Sequence, residues 1–297
     1  MLSLYQNFYK TFPFLETKSL IEYFSFYGGV EDRLDLNFFE EIEISMDSQF
    51  VQNISEMEQL ILPSYLLESP YSKLLTAVAR GDGKLHNVLH RAHIGDGLGK
   101  DIIADLVELG ILSVEESRES PLRTHPKQAI KKNLRSYRIQ PKIRFVKPFY
   151  RFWFGFVEPY REDLASHIGD SFMENFHQHR DKAISLVFEQ LSNLLLEQHF
   201  SLKDPLLSKG SFWDRHSEFD TLSVTRSKKV ILGECKYTSR KVCKNELTKL
   251  KDKARASGIR VDYFALFSKS GFSNELLGDK SKDLLLFSLD DFECLIN

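Results

Sequence analysis

The eight residues from Val230 to Tyr237, VILGECKY, constrain the fold more than any other stretch of the chain. Val230, Ile231 and Leu232 are the apolar run of a buried strand, and after Gly233 come Glu234, Cys235 and Lys236. Side chains alternate along a strand, so Glu234 and Lys236 share one face and Cys235 points to the other. Upstream, EFDTLSV predicts a second short strand that presents Asp220, parted from the first by the polar turn TRSKK. Earlier still, RDKAISLVFEQLSNLLLEQ predicts a long amphipathic helix. Its stripe of Ile184, Val187, Phe188, Leu191, Leu194 and Leu195 has Glu189 among it.

A carboxylate beside an apolar helix stripe, an Asp on one strand and Glu-x-Lys on the next make a set suited to metal-dependent phosphodiester cleavage. Carboxylate oxygens hold hard divalent cations, which polarise phosphate and lower the pKa of an attacking water. A lysine beside them orients that water or stabilises the charge developing on phosphorus.

The charge distribution supports a polyanionic partner, although the formal net charge is only -2. Residues 1–70 carry three basic against twelve acidic side chains, residues 118–151 eleven against one, and residues 209–260 fourteen against six. Clustered Lys and Arg are what phosphate contacts require, and Lys127, Lys131, Lys132, Arg135, Arg138, Lys142 and Arg144, with Lys249 and Lys251, are the candidate nucleic-acid contacts. Solvated helix faces are the alternative meaning of such runs.

With 297 residues, 24 of them Phe, the chain can build about two cores, which excludes low-complexity disorder. No apolar run approaches the ~20 residues of a membrane span, and the first twenty residues lack the pattern of a secretion signal. Three cysteines without CxxC spacing suggest reduced thiols, so the expected setting is cytoplasmic, with no membrane partner.

The organisation expected is a helical leader over 1–68, a winged helix-turn-helix domain over 69–147, an aromatic connector helix over 148–172 and an α/β (α+β) domain over 173–297 with a mixed sheet flanked by helices. The leader shows apolar residues at helical spacing up to Gly28-Gly29, then short acidic helices through FFEEIEI and MEQLILPSYLL. In the second unit, YSKLLTAVARG, LHNVLHRAH and KDIIADLVELGIL predict three helices, with IGDGLG as the turn before the third. ILSVEES and SYRIQ predict the strands on either side of a long basic wing. The exposed positions of the third helix include Asp101, Asp105 and Glu108, so the wing is expected to supply the attraction to DNA.

At these residues the sequence resembles the PD-(D/E)XK nuclease superfamily and, more narrowly, domain-of-unknown-function family 234, the C-terminal part of archaeal-type ATPases. The resemblance rests on FWD at 212–214, EFD at 218–220, GECK at 233–236 and the lysine-rich NELTKLKDKA after them. It extends upstream to the linker pattern of Phe152, Trp153, Phe156, Val157 and Pro159, and to YFSFYGGVEDRL, which is similar to the helical lid that follows the ATPase core. It implies a restriction-endonuclease-like domain, with Asp220 and Glu234 binding Mg2+ or Mn2+, the Cys235 carbonyl as a third ligand, Lys236 as catalytic group and Glu189 as supporting carboxylate. Glu218 is a weaker candidate. The family's ATPase core is not seen ahead of the lid-like segment, and GDGLGKD at 95–101 lacks the first Gly and the Ser or Thr of a phosphate loop, so ATP binding is not expected.

The function expected is metal-dependent cleavage of double-stranded or branched DNA. A non-catalytic DNA-binding or regulatory protein with a degenerate nuclease fold, partnered by a separate ATPase or by a second copy of itself, stays open beside it. A scaffold module without nucleic-acid affinity is the third reading. His86, His90 and His93 share a helix face but lack an added carboxylate or cysteine, and His177 and His179 are read as capping or surface groups.

Overall fold

The computed structural model describes residues 1–297 except Phe39, Ser120, Thr124, Pro126, Arg135, Ser136, Arg138, His216, Lys280 and Asn297, and describes Asn133 by its backbone alone. The leader forms α1 (Leu2–Thr11), α2 (Thr17–Tyr27), α3 (Ile42–Met46) and α4 (Ile54–Glu58). Aromatic side chains at helical spacing bring α1 and α2 together, with Tyr5 and Phe8 set edge-on to Phe24 at ring distances of 5.1 and 5.6 Å. On the far side of α2, Phe26 meets Phe152 and Phe176, so the leader is packed into the main core.

Three helices follow, α5 (Tyr71–Arg80), α6 (Leu85–Ala92) and α7 (Asp96–Glu108), then an antiparallel pair, β1 (Leu112–Glu115) and β2 (Lys142–Phe145), in the order of a winged helix. Two local features differ from the expectation. The IGDGLG turn is largely helical, because Gly99 lies where a Cβ would come within 2.3 Å of Leu89; a glycine lets α7 close on α6. A wing strand not predicted forms over KIRF at 142–145: its Lys142 is buried by an ion pair, so the strand does not read as apolar, while the strand expected over SYRIQ falls partly on Ser136 and Arg138, outside the described residues.

The aromatic connector is buried, as expected, but it is a chain of short turns: α8 (Pro148–Phe152), a wide turn over Trp153–Val157, a tight turn at Glu158–Tyr160 and α9 (Arg161–Ala165). Pro159 lacks the N–H that would continue a helix. Then α10 (Asp170–Phe200) runs for 31 residues, about 46 Å, and carries a spine of Phe172, Phe176, Ile184, Val187, Phe188 and Leu191.

The rest of the chain alternates strands and helices: β3 (Leu206–Ser208), β4 (Phe212–Trp213), β5 (Glu218–Phe219), β6 (Thr221–Thr225), β7 (Val230–Lys236), α11 (Lys244–Ala256), β8 (Tyr263–Ser268), α12 (Asn274–Leu277) and β9 (Leu284–Phe287). A five-stranded sheet has the order β3-β6-β7-β8-β9. Its first two pairings are antiparallel and its last two parallel, so the fold is α/β with a mixed sheet, as the sequence predicts. Alternation along β7 sends Ile231 into the core that includes α10 and Leu232 into a smaller core with Leu247 and Leu250 of α11, so helices cover both faces. The N-terminal leader is tied to this domain by Tyr237, whose hydroxyl donates to Glu22 at 2.8 Å, and by Gln6, whose amide donates to the Leu295 carbonyl at 2.9 Å. Among the described residues no helix is long and apolar enough to cross a membrane.

Candidate active site

Asp220 occupies the break between β5 and β6, one position before the strand, where the sequence reading had placed it within a strand. The close approach of β6 to β7 puts it there. Thr221 pairs with Gly233, and a Cβ on Gly233 would lie 3.1 Å from the Thr221 Cβ and 3.2 Å from the Ala265 carbonyl oxygen. With the strands this close, the Cys235 backbone N–H donates to Asp220 Oδ2 at 2.8 Å.

Asn193 locks the opposite side, one helical turn beyond Glu189. Its Nδ2 donates to the Asp220 carbonyl at 3.0 Å and to the Glu189 carbonyl at 2.9 Å, and its Oδ1 accepts from Thr221 Oγ1 at 3.0 Å. Asn193 thus fixes α10 against the start of β6 and holds Glu189 and Asp220 on one cleft. Sequence reasoning missed this residue; the one signal was a polar side chain four positions after Glu189 in an otherwise apolar stripe.

Both carboxylates are held above their ordinary range. Burial pushes the Glu189 carboxyl up, Asp220 and Glu234 push it further, and Arg144 and Arg151 oppose the rise. Burial likewise raises Asp220, followed by the charge of Glu234, against the Cys235 N–H and the charges of Lys236 and Lys253. Beneath them the Cys235 thiol is held well above its ordinary value by burial and by the same acids, which makes it an inert group. Lys236 has the opposite balance: burial opposes its charge, but a 2.7 Å contact with Glu234, with Glu246 and Asp220 behind it, holds the ammonium above its usual range. Lys236 also lies 3.7 Å from Glu246 on α11.

The donor set suits a hard cation. Glu189, Asp220 and the Cys235 carbonyl offer oxygen alone, and half-buried carboxylates held above their ordinary range by burial and by neighbouring acids form the electrostatic situation a divalent ion relieves. Glu234 faces Lys236, and among the described residues no three His, Cys, Asp or Glu side chains are gathered closely enough to hold an ion.

The cleft at Glu189 and Asp220 has a volume of about 540 Å3, and its other wall is the wing: Ser113 and Glu115 of β1, and Arg144 and Phe145 of β2. Arg144 pairs with Glu115 at 3.1 Å and is one of the two cations acting on Glu189. An arginine expected on a free wing therefore stands at the site. Arg151 on α8 is the second, a half-buried guanidinium pulled down to about 10 by desolvation, hydrogen-bonded to the Ala183 carbonyl and absent from the sequence-derived candidates.

The remaining candidates fall into three groups. Lys142 is buried, paired with Glu218 and 4.6 Å above the Trp213 ring, so it joins the wing to β4–β5 and is withheld from a phosphate; Glu218 is its partner and lies outside the acidic cluster. Lys127, Lys131 and Lys132 are exposed, while Arg135 and Arg138 lie outside the described residues. On α11, Lys249 is exposed and pairs with Glu246 at 2.6 Å, and Lys251 lies 5.3 Å over Phe264. The wing is also held by Arg118, which donates to Ser208, Gly210 and Ser211 at 2.7 to 2.9 Å.

Residues 153–250 match the model of domain-of-unknown-function family 234, described as archaeal and bacterial proteins of unknown function. The match begins in the aromatic connector, spans α10 with Glu189 and Asn193, and Asp220, Glu234, Cys235 and Lys236, and ends in α11; the leader, the winged helix with Arg144, and Arg151 lie outside it. No curated protein and no solved structure matches the chain.

Proposed function

We propose that this family-234 chain is a metal-dependent nuclease that hydrolyses phosphodiester bonds of DNA. One observation carries the reading: two half-buried carboxylates from different elements, Glu189 and Asp220, line one cleft and are both raised, Glu189 by burial and Asp220, and Asp220 by burial and Glu234, with the Glu234–Lys236 pair beside them. Like charges are brought together in this way where a cation or a proton is handled. Glu189 and Asp220, with the Cys235 carbonyl, would hold Mg2+ or Mn2+, and Glu234 would join them on leaving Lys236. A bound ion would supply phosphate polarisation and a more acidic water.

The chain's own groups do the rest. Lys236, its charge secured by Glu234 and Glu246, presents a donor to a water or a phosphate oxygen. Asn193 keeps the two carboxylates in register, and Arg144 brings a positive charge to the cleft from the wing. The proposed compartment is the cytoplasm, where Cys235, Cys243 and Cys294 stay as thiols. A separate ATPase or a second copy of the chain is the proposed protein partner.

Cleavage of single-stranded, duplex and branched DNA in Mg2+ or Mn2+ tests the reading. Wild type is expected to cut, and Asp220→Asn and Lys236→Ala to lose cutting; activity retained by either variant overturns it. The closed contact of Lys236 with Glu234 favours a second reading, a DNA-binding protein with a silent site. Salt-sensitive binding without cleavage of any substrate would support that one.

A further inference from the structure

Three cavities share walls along one face of α10. The cleft at Glu189 and Asp220 leads past a constriction of about 40 Å3 at Arg144, Arg151 and Leu186 into a cavity of about 420 Å3. Leu186 lines all three, and Arg151 lines the last two. From Asn193 at one end to Asn175 at the other, the trough follows eighteen residues of helix, about 27 Å.

The two ends differ in charge. In the far cavity the charged or titratable lining groups are Arg80, Arg151, His179 and Lys182, with no carboxylate among the lining residues. Arg80 and Lys182 are exposed and carry no ion pair among the described residues. Phe156, half-buried and stacked on Phe152 at 5.2 Å, adds an aromatic surface to the same wall. Beyond Arg80 the surface continues past Lys73 and Arg91, whose guanidinium donates to the Arg80 carbonyl at 2.6 Å. Small residues, Ala79, Gly81, Gly155 and Ala183, keep the trough open where α5 and the connector approach α10.

We infer that this trough is the seat of a single strand of DNA, its backbone phosphates on Arg151, Lys182 and Arg80, running toward Glu189 and Asp220. A basic track with an aromatic platform is the usual equipment for single-strand binding. Such a track names a single-stranded end or flap as the substrate class. The inference deepens the nuclease reading by naming its substrate, and it rests on that reading for the direction of the strand. Binding itself does not depend on cleavage.

Fluorescence anisotropy in EDTA tests it with a labelled oligothymidylate of about 15 nucleotides and a blunt duplex of equal length. Wild type is expected to prefer the single strand. The double variant Arg80→Glu/Lys182→Glu is expected to bind the strand at least about tenfold more weakly and to show a shallower salt dependence, by about 0.7 per lost phosphate contact. Arg80→Lys/Lys182→Arg is expected to keep the affinity, and near-ultraviolet circular dichroism reports whether the charge-reversed protein is folded. Equal affinity of wild type and the charge-reversed variant, or preference of wild type for the duplex, overturns the proposal. Asp220→Asn separates the two readings. If it binds the strand and the wild type never cuts, the trough stands and the nuclease reading falls. If it loses cutting while the charge-reversed variant binds as wild type does, the nuclease reading stands and the trough falls.

Discussion

Lys142 and Glu189 are both ionisable groups drawn away from solvent, but their neighbours treat them oppositely. The Lys142 side chain is 1% exposed and has a carboxylate partner in Glu218, which is 52% exposed, and a tryptophan face at 4.6 Å. Glu189 faces a second carboxylate, and among the described residues no hydrogen bond reaches its own; only the more distant charges of Arg144 and Arg151 offset the repulsion. The first arrangement satisfies a buried charge and joins two parts of the fold. The second sets one half-buried carboxylate against another, the arrangement that marks a candidate site. Buried charge by itself does not mark a site; the sign of the partner does.

The largest effect expected of any change concerns Lys236 and Asp220. Lys236→Ala or Asp220→Asn should lower metal-dependent cleavage by about 10³-fold, measured as single-turnover rate, while melting temperature in the absence of metal stays the same or rises in Asp220→Asn and falls in Lys236→Ala, which leaves Glu234 and Glu246 without their cation. A comparable rate loss in Lys142→Met at a temperature where that variant is folded would erase the distinction between the two clusters.

Next comes stability. Glu218→Gln leaves Lys142 buried without its partner and should destabilise the protein by about 2 kcal/mol in urea unfolding, less than for a fully enclosed pair because Glu218 is half exposed. Asp220→Asn should act in the other direction. The Glu189 and Asp220 carboxyls are raised in the folded protein, so the fold binds protons more strongly than the unfolded chain. Their stabilising contribution is complete in acid and is lost as pH rises through the raised values. Metal-free Asp220→Asn should then be more stable than wild type at pH above neutral, by on the order of 1 to 2 kcal/mol, and no more stable near pH 4. Added Mn2+ should raise the melting temperature of wild type more than that of the variant.

The smallest effect belongs to the exposed end of the wing. Replacing Lys127, Lys131 and Lys132 together by Ala should leave stability within about 0.5 kcal/mol of wild type and reduce the salt dependence of duplex binding by about 0.9 per lost contact. No change in that slope would confine nucleic-acid contact to the trough.

Much of the architecture was legible because it rests on periodicity. The apolar half of β7, the stripe of α10 and the three helices of the winged unit all appear where their spacing predicts them. Positions fixed by tertiary pairing were not legible. KIRF looks like part of a basic loop until Glu218 and Trp213, more than seventy residues later, make Lys142 a buried residue. The candidate site divides the same way. Glu234 and Lys236 announce themselves by strand alternation, Asp220 by its place in EFDTLSV although it sits one position before the strand, and Glu189 by its place in a stripe. Asn193, Arg151 and the inward turn of Arg144 depend on how α10, the connector and the wing pack, which no local pattern carries.

The hydrogen bond from Tyr237 to Glu22 bridges 215 positions of chain, and that from Gln6 to Leu295 bridges 289. In kinetic terms these are the costliest contacts to form, because the entropy of closing so long a loop is lost before the contact repays it. The leader can therefore nucleate its aromatic helices early but can be captured only after β7 has entered its sheet, and refolding should end with that capture. A protein assembled in this order completes β7, the strand of the candidate site, before its first helices find their seat.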